Sequence, residues 1–559
     1  MTSSLDCPSV SRRSFGVRNL VLTSFVPVFV WVLLWIRFAK GQLLRYPAQY
    51  SDSAGMVDLV GRGFNYRMRG NYLYAVYPYL FSPAQPAGSM RAFLRSQVAP
   101  EASFWRIHPY AISLPMGWLT ELTGLAPRTT VALAISGSAA TALALLLWLL
   151  LRYRGGPVAT FGLLSLFSLY VIWPVLSQGL IGQNYFDRLF AGPAVLVCVS
   201  SWISAHEGHN KAHWCGVTGF VVCGMISERT AFVSGSVGLI LLVGLFGRRL
   251  RQRNALILCF AAFANLAWGI FWQTQLQDSP YYGRISAGSV LENLKRLGTD
   301  PAKPKFVLLI AMVQPFIVLS AFDWRVLPAA FAAVGPNLVV SVGGAELSSL
   351  TTHYHQMYLP FLLSCSAFGF IRLIGGVRAE VPAGFREPAQ LTAPKPSRFG
   401  LFRPLVVPLV VVVAFVGWHA NLRSQKQPSA MVTAGQSLDL YRRADRQSLN
   451  VELNGRRAVA RLVRDLHPTS VSAPEAFSPL LAHFGVKNYS YFPLAVGQAD
   501  VVVVPFDLRD KSIVAFPFGR QPWADDTAEA VVGSLLVERY EMVQRVPVSG
   551  YDVAVYRRR

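Results

Sequence analysis

Charge is what this sequence has least of. Only 14% of its 559 residues are Asp, Glu, Lys or Arg, whereas soluble domains carry roughly a quarter, so a water-soluble globular chain is disfavoured from the outset. Acid is the scarcer sign: 29 Asp and Glu stand against 52 Lys and Arg, a formal charge of +23. Cysteine is sparse as well. Of the six, Cys7 stands alone near the start and Cys198, Cys215, Cys223, Cys259 and Cys365 lie in apolar runs, with none in the polar C-terminal region. No two have the spacing of a metal clip, so neither a disulfide framework nor a zinc site is readable. A small-residue cleavage site is missing after the first apolar run, Val17 to Phe38, which therefore reads as a retained helix and not a signal peptide.

What the chain has instead is hydrocarbon: 53% hydrophobic residues and a mean hydropathy of +0.37. Apolar runs of spanning length recur at 17–38, 127–151, 157–179, 189–205, 213–227, 230–247, 254–273, 305–322, 326–343, 356–376 and 403–420. They predict a polytopic α-helical membrane protein of about eleven spans. The pair around 213–247 is short enough to be read alternatively as a re-entrant hairpin. Arg12, Arg13, Arg18, "RYR" (Arg152–Arg154), Lys211, "GRRLRQR" (Gly247–Arg253), Arg325 and the run from Arg378 to Arg403 all fall on one side of these spans. By the positive-inside rule that side is cytoplasmic, the N-terminus with it. The same clustering explains the net charge without a nucleic-acid partner, and no basic groove with interleaved aromatics is needed to account for it.

The opposite side receives the long loop 39–126, the turns at "GQNYFDR" and "SERT", the loop 274–304, the turn before "THYHQ", and everything after 420. Two domains follow: a transmembrane domain over 1–420 and an extracytoplasmic domain over 421–559. In the latter, "SLNVELNGRRAVARLVRDLHP" has apolar residues at helical spacing and ends at a proline. "TSVSA" and "ADVVVVPF" read as strands, "DTAEAVVGSLLVERY" as a helix, and "YEMVQRVPVSGYDVAVYRRR" as a hairpin turning at Ser549–Gly550. That alternation predicts a small α/β fold.

Ionisable residues beside apolar segments are costly unless they are paired or line a wet cavity, so they are candidates for function. On the outer side these are Asp52 and Asp58, His108, Asp187, Glu228 with Arg229, and His353 with His355. Asp52 and Asp58 are six apart, so on a helix they point roughly 120° apart and at most one serves a common site. Glu228–Arg229 reads equally as a structural pair between two short helices, and Asp187–Arg188 as a self-satisfied turn. His353 and His355 share a face only in an extended segment. A metal would need carboxylate or thiol company that is not local, so no metal and no cofactor is expected.

Glycosyl transfer from a polyprenyl-phosphate sugar would use such an inventory. A carboxylate at the outer surface deprotonates the acceptor hydroxyl, and cations stabilise the departing lipid phosphate. The tyrosine-rich "FNYRMRGNYLYAVYPYLF" suits a sugar ring and a lipid-linked phosphate, though tyrosine also collects at membrane interfaces for amphipathic reasons alone.

The first loop with its aspartate, "IHPYAISLP", "YVIWPVLSQGLIGQNYFDRLFAGPAVLV", "ISERTAF" and "THYHQMYLPFLL" resemble a family of uncharacterised bacterial and archaeal polytopic membrane proteins, catalogued as a domain of unknown function. "SVSAPEAFSPLLAHFGVKNYSYFP" and "ADVVVVPFDLR" resemble its outer α/β module. That family is similar to the GT-C-fold glycosyltransferases, which use lipid-linked sugars and carry a catalytic acid on the first outer loop. The resemblance implies that Asp52 is the catalytic base. Two departures stand out: "YFDRL" replaces an acidic residue followed by histidine, and "SERT" replaces a lysine–glutamate–acid string. The first loop also lacks a paired acidic motif for metal assistance.

The resulting expectation is a glycosyltransferase in the bacterial cytoplasmic membrane, acting on a polyprenyl-phosphate-linked sugar donor and a cell-envelope glycan, lipid or protein acceptor. Asp52 is the expected base, Arg229, His353 and His355 contact phosphate or sugar, Glu228 orients Arg229, and His108 lines the cavity. The rivals are a lipid-linked-glycan flippase, against which the lack of an internal hydropathy repeat counts, and a non-catalytic membrane scaffold.

Overall fold

A computed structural model of the chain describes residues 24–34, 60, 110–153, 157–174, 186–207, 211–275, 315–339, 357–374, 409, 445–474, 477, 480–481, 484–486, 489–492, 496–507, 526–548 and 551–559. It is mostly helical with one small sheet. The helices of the first part are α1 (Ser24–Leu34), α2 (Ser113–Thr123), α3 (Pro127–Tyr153), α4 (Pro157–Pro174), α5 (Ala191–Glu207), α6 (Ala212–Ile226), α7 (Glu228–Phe246), α8 (Arg253–Gln275), α9 (Leu327–Val339) and α10 (Leu359–Leu373). Among the described residues four segments are long and apolar enough to cross a membrane: Thr129–Tyr153, Arg188–Glu207, Glu228–Arg251 and Arg253–Trp272. α1, α6 and α10 are shorter apolar helices. These lengths and compositions suit membrane insertion. The described residues thus show four segments of spanning length and not the eleven expected, and the span expected at 403–420 lies outside the described residues apart from Leu409.

The hairpin expected near 213–247 is a pair of helices. Ser227, extended at φ −164° and ψ 164°, breaks them. Its hydroxyl accepts from the Thr230 N–H at 3.2 Å, and the Thr230 hydroxyl accepts from the Ser227 N–H at 3.0 Å. This reciprocal cap satisfies two amides that would otherwise lack partners at the helix start. α7 with the 3-10 turn after it (Gly247–Arg251) reaches spanning length. The re-entrant alternative is therefore confined to α6, whose 15 residues rise about 22 Å against a hydrocarbon core of about 30 Å.

Burial separates the helices by role. α10 is buried along its whole length from Leu359 to Ile371, as expected of a helix apolar on every side at the centre of a bundle. α8 exposes Leu256, Phe260, Phe263, Ile270 and Phe271, the pattern of a helix facing lipid. α7 and α8 lie backbone to backbone: a Cβ at Gly235 would stand 2.5 Å from the Leu266 nitrogen, and one at Gly269 would stand 2.7 Å from the Phe232 nitrogen. Small residues at such contacts replace the hydrophobic drive that lipid does not supply.

The second part forms one five-stranded sheet in the order β2-β1-β3-β5-β4, with β1 (Val471–Ala473), β2 (Tyr489–Tyr491), β3 (Val501–Asp507), β4 (Tyr540–Val548) and β5 (Tyr551–Arg558). β1 pairs parallel with β2 and β3, while β3–β5 and β5–β4 are antiparallel. Helices α11 (Asp445–Asp465) and α12 (Asp526–Arg539) complete it. Side chains of β3 alternate faces: Val501 and Val503 pack with Val459, Ala460 and Val463 of α11, and Val502 and Val504 with Val532, Leu535 and Leu536 of α12. A run of four valines is thus buried on both sides, which is why it shows no polar alternation. The two helices and the β4–β5 hairpin match the sequence expectation. The short edge strand β2 adds to it.

Asp500 ties β1 to β3. Its carboxylate accepts from the Thr469 and Ser470 N–H groups at 2.9 and 3.2 Å and from the Thr469 hydroxyl. Burial pushes this carboxyl up, but these hydrogen bonds and the nearby Arg558 outweigh it and hold it below the usual carboxylate range. A folded value below the unfolded one gives stability that is present above the unfolded pKa and lost as pH falls through the folded one. Acidification is therefore expected to speed amide hydrogen exchange at 469–473 in the full chain, after correction for the intrinsic rate, and Asp500→Asn to remove that dependence. An unchanged acid profile in the variant would refute the assignment.

Candidate functional site

The described ion pairs of the helical part lie at its two ends. At one end Arg152, on the last turn of α3, donates twice to Glu207 at 2.7 and 2.5 Å, and the Tyr153 hydroxyl donates to the same carboxylate at 3.0 Å. Arg249 of the 3-10 turn reaches the Ala205 carbonyl at 3.4 Å. Asp323, fully buried, binds Arg325 through two donors at 2.9 Å each and is also bound by Arg372 of α10. Arg325 then contacts His206 Nε2 at 3.1 Å and lies 5.5 Å over the Trp202 ring. His206 Nδ1 sits 2.7 Å from the Trp202 carbonyl. A carbonyl only accepts, so Nδ1 carries the hydrogen and Nε2 accepts from Arg325. Of the cations assigned to one side by hydropathy, the described ones (Arg152, Lys211, Arg248, Arg249, Arg251, Arg253 and Arg325) lie at this end. Their buried counter-charge, Asp323, and the histidine were not anticipated. A single carboxylate between two apolar runs, "SAFDWRV", was the signal available.

At the other end lie Glu228 and Arg229. Glu228 opens α7 with its side chain fully buried, and Arg229 Nε stands 3.7 Å from its Oε1 with 12% of the Arg229 side chain exposed. A carboxylate at a helix start is stabilised by the aligned peptide dipoles. The residues two and more beyond His108 reach this same end, where the Ile112 N–H donates to the Met225 carbonyl at 2.8 Å. An apolar cavity of about 270 Å³ is lined by Ile112, Met116, Ser138, Leu189, Gly192 and Ile226 among others, and Ile226 stands two residues before Glu228. Of its two hydroxyl residues, Ser138 and Thr141, Ser138 donates to the Leu189 carbonyl at 2.7 Å and accepts from the Gly192 N–H at 2.8 Å. The cavity offers hydrocarbon contact.

Of the expected site residues, the structure brings Glu228 and Arg229 together. Asp52, His108, His353 and His355 lie outside the described residues, as does Asp58. Arg188 is buried in the 3-10 turn Phe186–Phe190. Among the described residues no three His, Cys, Asp or Glu side chains converge as metal ligands. Comparison with protein-family models and with curated proteins finds no match.

Proposed function

We propose that the chain is an integral-membrane glycosyltransferase of GT-C type, with about eleven spans in the cytoplasmic membrane of a bacterium. It takes a sugar from a polyprenyl-phosphate donor and passes it to a cell-envelope glycan, lipid or protein acceptor at the outer face. The basic end faces the cytoplasm, and the end carrying Glu228 and Arg229 faces out with the domain 421–559. The supporting observations are the buried Glu228–Arg229 pair, at the end of the bundle opposite the cationic one, and an apolar cavity whose lining includes Ile226, two residues before Glu228. A lipid phosphate needs a cation at the membrane surface, and its chain needs a hydrocarbon slot directly below.

In this reading the Asp52 carboxylate takes the proton from the acceptor hydroxyl. The acceptor oxygen bonds to the anomeric carbon as the bond from that carbon to the phosphate oxygen breaks, with inversion, and polyprenyl phosphate departs. Arg229, His353 and His355 stabilise the phosphate, Glu228 holds Arg229 in place, and His108 lines the cavity. No metal or other cofactor enters.

The test is purified full-length protein given a panel of polyprenyl-phosphate sugars, with product followed by mass spectrometry. Turnover of at least one donor is required. If none is turned over but lipid-linked glycan crosses the bilayer of reconstituted liposomes, the protein is a flippase and the proposal falls. If neither occurs, a scaffold role replaces both. In the active system Arg229→Gln is expected to raise the donor KM and lower kcat/KM by about 10- to 100-fold, for one lost charge-assisted contact, with Arg229→Lys in between. A KM equal to wild type would remove Arg229 from the donor site.

A further inference from the structure

We propose that the cationic end of the bundle holds a site for the headgroup of an anionic phospholipid, built on the 3-10 turn Gly247–Arg251 and the first turn of α8. Arg248, Arg249, Arg251 and Arg253 are all exposed there, and Lys211 at the start of α6 is exposed too. Leu250 between them packs on the helical core, and Arg249 holds the Ala205 carbonyl, so the turn is pinned with its cations outward. Among the described residues Glu207, four before Lys211, is already taken by Arg152 and Tyr153, and Asp323 by Arg325 and Arg372. The patch thus concentrates positive charge on one short segment.

Apolar groups lie one step inward from these cations. Leu256 and Phe260, one and two turns past Arg253, are 56% and 76% exposed, and Trp214 next to Lys211 is 54% exposed. Trp324, beside Arg325, is 73% exposed. Exposed tryptophans mark the boundary between hydrocarbon and headgroups, and here each lies within three residues of a basic residue, Lys211 or Arg325. Cations at the phosphate level with exposed apolar side chains directly below match an acidic phospholipid, whose charged head and acyl chains have the same vertical order. A nucleic acid would match the cations alone and leave the aromatic and aliphatic row in water.

The experiment is native mass spectrometry on full-length protein released from nanodiscs of mixed phosphatidylcholine and phosphatidylglycerol. The chain is expected to retain phosphatidylglycerol in preference to phosphatidylcholine, and added salt to weaken the preference. Arg248→Gln/Arg251→Gln/Arg253→Gln should reduce it by roughly fivefold per cation, the effect of one basic group at an anionic surface. The corresponding triple lysine variant, which keeps the charge, should restore it. Equal retention by wild type and the triple glutamine variant, or no preference for phosphatidylglycerol, overturns the proposal. Displacement of the lipid by a short RNA at the same concentration also overturns it, in favour of a general polyanion site. Neither outcome bears on sugar transfer, so failure here is distinct from failure there.

Discussion

Asp323→Asn is expected to produce the largest loss of stability of any single substitution in the helical part. The wild-type carboxylate is fully buried, and its bonds reach Arg325 two residues on and Arg372 on α10. Their side chains are only 18% and 15% exposed, so an amide at position 323 leaves two guanidinium groups facing each other with no counter-charge. Removing one partner of a buried ion pair typically costs about 3–5 kcal/mol, because the remaining charge stays desolvated. The damage would spread beyond one helix. Arg325 also contacts His206 and stacks over Trp202, which itself stacks on Phe368 of α10 at 4.5 Å. Loss of the anchor therefore loosens α5, α10 and the turn before α9 together. Thermal unfolding of detergent-purified variants measures this. Asp323→Asn combined with Arg372→Met should lose less than the sum of the two single changes, since the double variant no longer strands that arginine. A melting temperature for Asp323→Asn close to wild type would mean that water, not Asp323, carries these charges.

Asp52→Asn is expected to abolish sugar transfer while leaving donor binding intact. Asparagine is nearly isosteric but cannot accept a proton at neutral pH, so the acceptor hydroxyl would attack unassisted. General base catalysis contributes about 10²- to 10⁴-fold, and that is the expected drop in kcat. Asp58→Asn is the matched control and should retain activity within a few-fold, because a helix turns the two carboxylates to different directions. Product formation at equal rates by wild type and Asp52→Asn removes Asp52 from the chemistry. A drop confined to Asp58→Asn transfers the role to that residue. With both variants active, the base lies elsewhere and the family resemblance misassigns it.

Much of the fold was legible from local pattern because its elements announce themselves locally. The valines of "ADVVVVPF" specify a strand, the proline after "RLVRDLH" stops a helix near Asp465, and "VPVSGYDV" leaves two residues between β4 and β5 for a turn. The break at Ser227 was readable as a polar interruption, although the capping box that makes it sharp needs the Thr230 side chain in place. The Asp323 cluster was not legible. Asp323, His206 and Arg372 are far apart in sequence, and only packing of three separate segments brings them within hydrogen-bond range. Glu228 and Arg229 were marked by their oddity in an apolar setting, but their neighbours in sequence do not report that one is fully buried and the other partly open.

Composition and hydropathy by themselves determined that this chain favours membrane over water and where most of its described helices run. Those properties are sums over local stretches, and transfer free energy into hydrocarbon is additive along a helix. Tertiary structure alone decided which charges meet. It put Asp323 between two arginines at the cationic end, left Glu228 and Arg229 at the other, and opened an apolar cavity among α2, α3, α5 and α6. A pairing between distant residues depends on how helices pack through glycines and side-chain shape, and no local pattern encodes that.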